Sequence, residues 1–393
     1  MKLRIALPLV LILGIVLGSL GTLEWCDRGH CGDPERSVEQ DSSSTAAETY
    51  GAGSQVENPA STEAEATPTR SRIPGSAGAT PAPPVSTAGT DAWDGAPHRC
   101  QANPIEGLAI IGDSAADEYR ADNPRGGEYG DTTFNWLELL ARERGIDVGL
   151  WGERPEPRRG GYAYNWARSG ATSETLLRTG QHTGVVQQIE DGHVSHVIVQ
   201  IGVNDFYYND VALQIYAGDF SGDALDRFLD QVVANVEEAV QAVKIAGESK
   251  VILSATPDFV LLDVLPEVDS VLPNEVGRQR IIDAFAVVNE GLKGVAEREQ
   301  VAFFDINTAL QDEMDERIDP EDPRYFLVGG ERIDLQERGN EPHYTLVDDE
   351  YAHAGTVFSG LIANVFIEEM NATFGTNLDL FSDEEILRIA GIQ

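Results

Sequence analysis

Leu108-Ala109-Ile110-Ile111-Gly112-Asp113-Ser114-Ala115-Ala116-Asp117-Glu118-Tyr119 is the stretch that decides the fold. Four apolar residues run into Gly-Asp-Ser and a polar segment follows, which reads as a buried strand whose carboxyl end breaks into a turn. Ligands of open α/β sheets collect at the carboxyl ends of the strands, so Ser114 stands where chemistry is expected. Gly112 permits a tight turn, and Asp113 and Ser114 can cap a following helix. Taken alone, such a turn is more often a cap than a nucleophile. A chemical role requires a base and oxyanion donors from elsewhere in the chain.

Working outward, Asp131-Thr132-Thr133 is expected to cap a helix that runs to Arg144, with Phe134, Leu137 and Ala141 on one face. Ile146 to Trp151 reads as a second strand. Val194 to Ile201 has the β-branched density of a buried strand and ends at Gly202-Val203-Asn204-Asp205. Residues 222–246 repeat apolar side chains at helical spacing (Leu225, Phe228, Leu229, Val232, Val236, Val240, Val243), and so do residues 275–298 (Ile281, Phe285, Val288, Leu292, Val295). Strands at Lys250–Ala255 and Val301–Ile306 alternate with these helices, the pattern of a parallel sheet wound on both faces. Residues 310–347 break that rhythm. They are polar, with a small β excursion expected at Phe326–Val328 and Tyr344–Val347, and a last helix follows from Gly355 to Thr373. Such an insertion either lines a site or decorates the surface.

The 393 residues carry a formal net charge of −38, and most of it lies beyond residue 97. Such a field repels nucleic acid, whose binding rests on Lys and Arg neutralising phosphates. Lysine occurs only at 2, 244, 250 and 293. An acidic, lysine-poor surface fits either salt adaptation or plain solubility. Cys26, Cys31 and Cys100 are too few for a disulfide scaffold and leave one thiol over, although Cys26 and Cys31 can pair outside the cytoplasm.

Ile5 to Leu23 is an uncharged apolar run long enough to span a bilayer, preceded by Lys2 and Arg4, which place its amino side in the cytoplasm. We read residues 1–25 as a retained anchor, with a cleaved signal peptide ending near Ser19-Leu20-Gly21 as the alternative. Residues 26–97 are poor in large apolar side chains and read as a disordered tether. Either version of the amino end places residues 98–393 outside the cytoplasm.

Ser114, Gly170 and Asn204 each follow a strand-like segment and are expected along one sheet edge. A serine needs a base to take its proton, and the tetrahedral intermediate needs donors aimed at its oxyanion. The amides of Ser114 and Gly170 and the side chain of Asn204 can supply those donors. His353 is the candidate base, with Glu350 and Asp349 three and four residues before it as candidate partners for its second ring nitrogen. Tyr162, Tyr164, Trp166, Phe206, Tyr207 and Tyr208 cluster near these loops and suggest either a stacking platform or ordinary packing.

Together the blocks resemble the SGNH hydrolases, also called GDSL esterases/lipases. Gly112-Asp113-Ser114 matches the first block, Asn165 to Thr172 the second, Gly202-Val203-Asn204-Asp205 the third and the acid-x-x-His ending at His353 the last. The resemblance covers about residues 105–373. It implies a flavodoxin-like three-layer α/β/α sandwich, Ser114 as nucleophile, His353 as base, an oxyanion hole from Ser114, Gly170 and Asn204, and no metal or organic cofactor. The implied substrate is a carboxylic ester, either an O-acetyl group on a carbohydrate or a lipid acyl ester. An idle domain used for surface binding is the alternative. The first block has Ala115 where the family has Leu, and Glu350 stands where the family has Asp. Either Glu350 serves, or a bulge brings in Asp349.

Overall fold

The computed structural model describes residues 105–121, 124–257, 272–349 and 353–392. The apolar run at Ile5–Leu23, the tether, the three cysteines and Glu350 lie outside them. Strand β1 (Leu108–Gly112) is followed by α1 (Trp136–Glu143), the hairpin strands β2 (Trp151–Glu153) and β3 (Gly160–Tyr162), and helices α2 (Ser173–Thr179) and α3 (Gln181–Glu190). Next come β4 (His196–Gln200), α4 (Val203–Tyr207), α5 (Val211–Ala217), α6 (Asp223–Ala246) and β5 (Lys250–Ser254). The chain continues through α7 (Glu275–Glu299), β6 (Ala302–Phe304), α8 (Ile306–Asp315), β7 (Tyr325–Val328), β8 (Glu331–Arg338), β9 (Tyr344–Leu346), α9 (Thr356–Phe374) and α10 (Asp383–Ala390).

The main sheet has the order β1-β4-β5-β6, and every pair in it is parallel. Residues 164–168 extend it beyond β1: Tyr164 O accepts from Ile110 N, Trp166 N donates to Ile110 O, and Arg168 N donates to Gly112 O. One set of helices (α2, α3, α5, α6, α7) packs among itself, and a second set (α1, α8, α9, α10) does likewise. This is the expected α/β architecture, a mostly parallel sheet between helical layers.

Each apolar stripe read from the sequence faces inward. Leu229, Val232, Val236, Val240 and Val243 of α6 are buried, as are Ile281, Phe285, Val288, Leu292 and Val295 of α7. Helix α9 is covered on nearly all sides; its Phe366 ring stacks on Trp136 of α1 at 4.1 Å between centroids. Among the described residues, no helix is long and apolar enough to cross a membrane.

Three expectations need correction. Helix α1 begins at Trp136, and its cap is Asn135, not Asp131-Thr132-Thr133. The Asn135 side chain accepts from Glu138 N while Glu138 accepts from Asn135 N, a reciprocal capping box. Gly127–Thr132 forms a separate turn of tighter helix. Secondly, the strand expected at Ile146–Trp151 is absent over residues 146–150, and Trp151 instead opens β2. Ile146 and Val148 are buried, but this stretch meets its neighbours through single bonds, Leu108 N to Asp147 O and Tyr164 N to Val148 O. Thirdly, residues 310–347 hold more than two short strands. They include the end of α8 and a three-stranded sheet of order β7-β8-β9, with the polar β8 in the middle.

Candidate active site

Ser114 follows β1 by two residues, in a turn where Ala116 N and Asp117 N both donate to Asp113 O. The Asp113 carboxylate accepts from Ala115 N at 3.0 Å and closes the turn. Because Gly112 pairs with Gln200 in the parallel register, β1 and β4 end side by side, and the loops that carry Ser114 and Asn204 leave the sheet at the same edge. On the other flank Arg168 N bonds to Gly112 O at 3.1 Å, which brings in the segment leading to Gly170. The three loops are then tied together directly. Asp117 Oδ2 accepts from Ser169 N at 2.7 Å, and Asn204 Nδ2 donates to Ala171 O at 3.0 Å. Asp205 accepts from both the amide (2.8 Å) and the hydroxyl (2.7 Å) of Ser173. Gly170 holds φ at +79°, and the Tyr208 hydroxyl lies close to where its Cβ would stand, so the position favours glycine.

The fourth block arrives from the small sheet. Val347 N donates to His353 O at 2.8 Å and Gly355 N to Thr345 O at 2.7 Å, so the loop that carries the histidine is pinned to β9. Asp349 Oδ2 lies 2.5 Å from His353 Nδ1, and His353 N also donates to Asp349 Oδ1. Asp349, four residues before the histidine, is therefore the described carboxylate on its ring. The imidazole is buried, and it shares the wall of a cavity of about 20 Å³ with Ala115, the residue after Ser114. Among the described residues the Ser114 hydroxyl makes no hydrogen bond.

Arg125 is the residue that sequence reading missed. Its Nε donates to Asp349 Oδ2 at 3.2 Å, and its Nη2 lies 3.3 Å from both Ser169 Oγ and His353 Nε2. It thus links the second block to the fourth. Nothing local announces it, because its partners lie 44 to 228 residues away along the chain.

Burial sets the electrostatics. It pushes the Asp113 and Glu118 carboxyls up to about 7 and that of Asp205 up to about 6, against the hydrogen bonds that each accepts. Burial also pushes His353 below the ordinary histidine value, with the Arg125 charge acting the same way and Asp349 opposing. The ring is therefore neutral at pH 7, with a carboxylate on one nitrogen. Such an imidazole can accept a proton at the other nitrogen.

The rings near these loops are engaged by different neighbours. Phe206 is a core residue stacked on Phe285 at 4.0 Å between centroids, and Trp166 is tied to Gln188 through its indole N–H at 3.0 Å. Tyr164 lies against His193, and Tyr162 meets Trp151 edge to face in the β2–β3 hairpin. Tyr208 is the exposed ring of the set, beside Gly170.

Residues 110–327 match the family model for the GDSL-like lipase/acylhydrolase family, and the chain belongs to that family, one of ester hydrolases. Among solved structures it is similar to an acetylxylan esterase from Geobacillus stearothermophilus, at 18% identity and a TM-score of 0.37 over 67% of this chain and 94% of that one. It is also similar to a gut microbial diltiazem-metabolizing enzyme, at 15% identity and a TM-score of 0.39 over 67% of this chain and 47% of that one. Protein YXIM of Bacillus subtilis aligns at 15% identity with a TM-score of 0.38, over 68% of this chain and 56% of that one. No curated protein matches the chain.

Proposed function

We propose that the protein hydrolyses a carboxylic ester through an acyl-enzyme on Ser114, with His353 as base and Asp349 orienting it. The reading is carried by one observation. A buried imidazole with a carboxylate on Nδ1 sits on the cavity wall that it shares with the residue following Ser114. In this scheme Nε2 takes the Ser114 proton as Oγ attacks the carbonyl. The oxyanion is met by the amides of Ser114 and Gly170 and by the Asn204 side chain, donors of the kind such a charge needs. The proton then passes to the departing alcohol, and water repeats the sequence on the acyl-enzyme. O-acetylated carbohydrate and lipid acyl esters are the two substrate classes to compare. The apolar run at Ile5–Leu23 behind Lys2 and Arg4 supports an extracytoplasmic, membrane-tethered placement.

Labelling of the full chain by a fluorophosphonate serine probe tests the assignment. Wild type is expected to label and Ser114→Ala to remain unlabelled. A panel of acetylated sugars and of short- and long-chain esters then fixes the substrate class. Wild type that neither labels nor cleaves any ester would leave the alternative of an idle binding domain on this fold.

A further inference from the structure

We propose that Arg125 is a positioning residue of this site: it bridges Asp349 and His353 and fixes the imidazole with its proton on Nδ1 and its lone pair on Nε2. The proposal rests on His353 being the base. Its geometry is three contacts from one side chain, Nε to Asp349 Oδ2 at 3.2 Å and Nη2 to Ser169 Oγ and to His353 Nε2, both at 3.3 Å. A guanidinium carries only donors. Nε2 must therefore be the accepting atom, which leaves the ring proton on Nδ1, facing Asp349 Oδ2 at 2.5 Å. Arg125 is itself held firmly. Its side chain is 4% exposed and lies over the Tyr119 ring, whose hydroxyl donates to Ala354 O beside the histidine.

Nε2 has a single lone pair, so Arg125 and the Ser114 hydroxyl compete for it. When serine attacks, the Arg125 contact opens while Asp349 and Ser169 retain the guanidinium. Nε2 takes the serine proton as the Oγ–C bond forms and the carbonyl electron pair moves to oxygen. The same proton leaves with the alcohol, and Arg125 transfers nothing. Its fixed charge opposes a second cation on the ring. The imidazole consequently stays neutral, and able to accept, in more acidic solution. The groups that act on the ring are Asp349 from its own loop and Arg125, Tyr119 and Asp117 from the segment after β1; the two carboxylates act against Arg125.

The test uses the full chain as wild type, Arg125→Gln and Arg125→Lys. The pH profile of kcat/KM and the NMR titration of the His353 imidazole are read on each. Arg125→Gln is expected to move both the acid limb and the imidazole titration upward by about one pH unit. Well below both acid limbs, Arg125→Gln then loses about tenfold more of its plateau activity than wild type does. Arg125→Lys keeps the charge and leaves both near wild type. A folded Arg125→Gln with neither quantity moved overturns the proposal, whatever its plateau activity. Nitrogen shifts of His353 in the wild type need no variant. They are expected to show Nε2 unprotonated at neutral pH, and a proton found there overturns the proposal as well. Both NMR readings are made without turnover, so they stand apart from full activity in His353→Ala, the result that defeats the assigned base instead.

Discussion

The main sheet and the small three-stranded sheet are built on opposite terms, and the candidate site is assembled between their products. In the main sheet β1 and β4 are buried at every position, and Ser114 leaves from the end of β1. In the small sheet the outer strands β7 and β9 are largely apolar, and the middle strand is polar. That middle strand, β8, buries Ile333 and Leu335 while charged neighbours ring it, with Arg332 on Asp319 at 2.6 Å. His353 hangs from this sheet through its pairing with β9, and Arg338 of β8 reaches Asp349 O at 3.4 Å. Apolar density thus sets where the serine stands. The imidazole is placed by a thinner structure in which exposed ion pairs contribute little. The base side of the site is therefore expected to be the more fragile one.

The sharpest way to break this division is to remove its two products. Ser114→Ala and His353→Ala are each expected to cut kcat by about 10⁴-fold or more with an unchanged circular dichroism spectrum. Full ester hydrolysis in either would mean that the sheets do not share a site. Asp349→Asn is expected to cost about 10³-fold by disturbing the imidazole. Glu350→Gln, measured alongside, shows which acid serves, and a larger loss there would move the role to Glu350.

Core truncations sharpen the comparison further. Ile333→Ala in β8 and Leu229→Ala in α6 should each destabilise by about 2–4 kcal/mol in chemical denaturation. At a temperature where both remain folded, only the β8 variant should lose kcat. Equal losses would dissolve the distinction between the sheets.

The smallest effect expected is a pH dependence of stability. Burial raises the Asp113, Glu118 and Glu138 carboxyls to about 7 and Asp205 to about 6. These groups hold their protons in the folded chain and release them nearer pH 4 when unfolded. Between about pH 4 and 7 the folded state therefore binds more protons, and stability falls as pH rises, levelling off above 7. His353, lowered by burial, acts with the opposite sign. Thermal melts are expected to peak on the acid side of neutrality, and Glu138→Gln should flatten the decline. A melting temperature that rises from pH 5.5 to 8 would contradict this.

The contrast between the sheets also explains what could be read in advance. β1, β4, α6, α7 and α9 were legible because burial on a face, or on every side, leaves a periodic or continuous apolar record in the chain. β8 was not, since Glu331-Arg332-Ile333-Asp334-Leu335-Gln336 hides two inward residues among charges. The start of α1 was misplaced because Asp131-Thr132-Thr133 and Asn135 offer equivalent capping chemistry, and Glu138 at the third position decides between them. Of the candidate site, the loops bearing Ser114, Gly170 and Asn204 and the His353 block were visible as motifs; the bonds that link these loops run between their neighbours, Asp117 to Ser169, Asn204 to Ala171 O and Arg125 to Asp349 and Ser169. The contact of Asp349 with the imidazole needed the loop's path. Arg125 needed the whole fold, because a cation in a polar stretch carries no sign of its distant partners.

The crowding at Gly170 has a practical side. With φ at +79° and the Tyr208 hydroxyl in the way, a chiral residue there is strained and must also displace that ring. A library that randomises this rim to retune selectivity would meet backbone strain at every codon spent on 170. Tyr208 is about half exposed on the adjoining turn. It is the place to vary: shortening its ring opens room beside the glycine without asking the backbone to change hands.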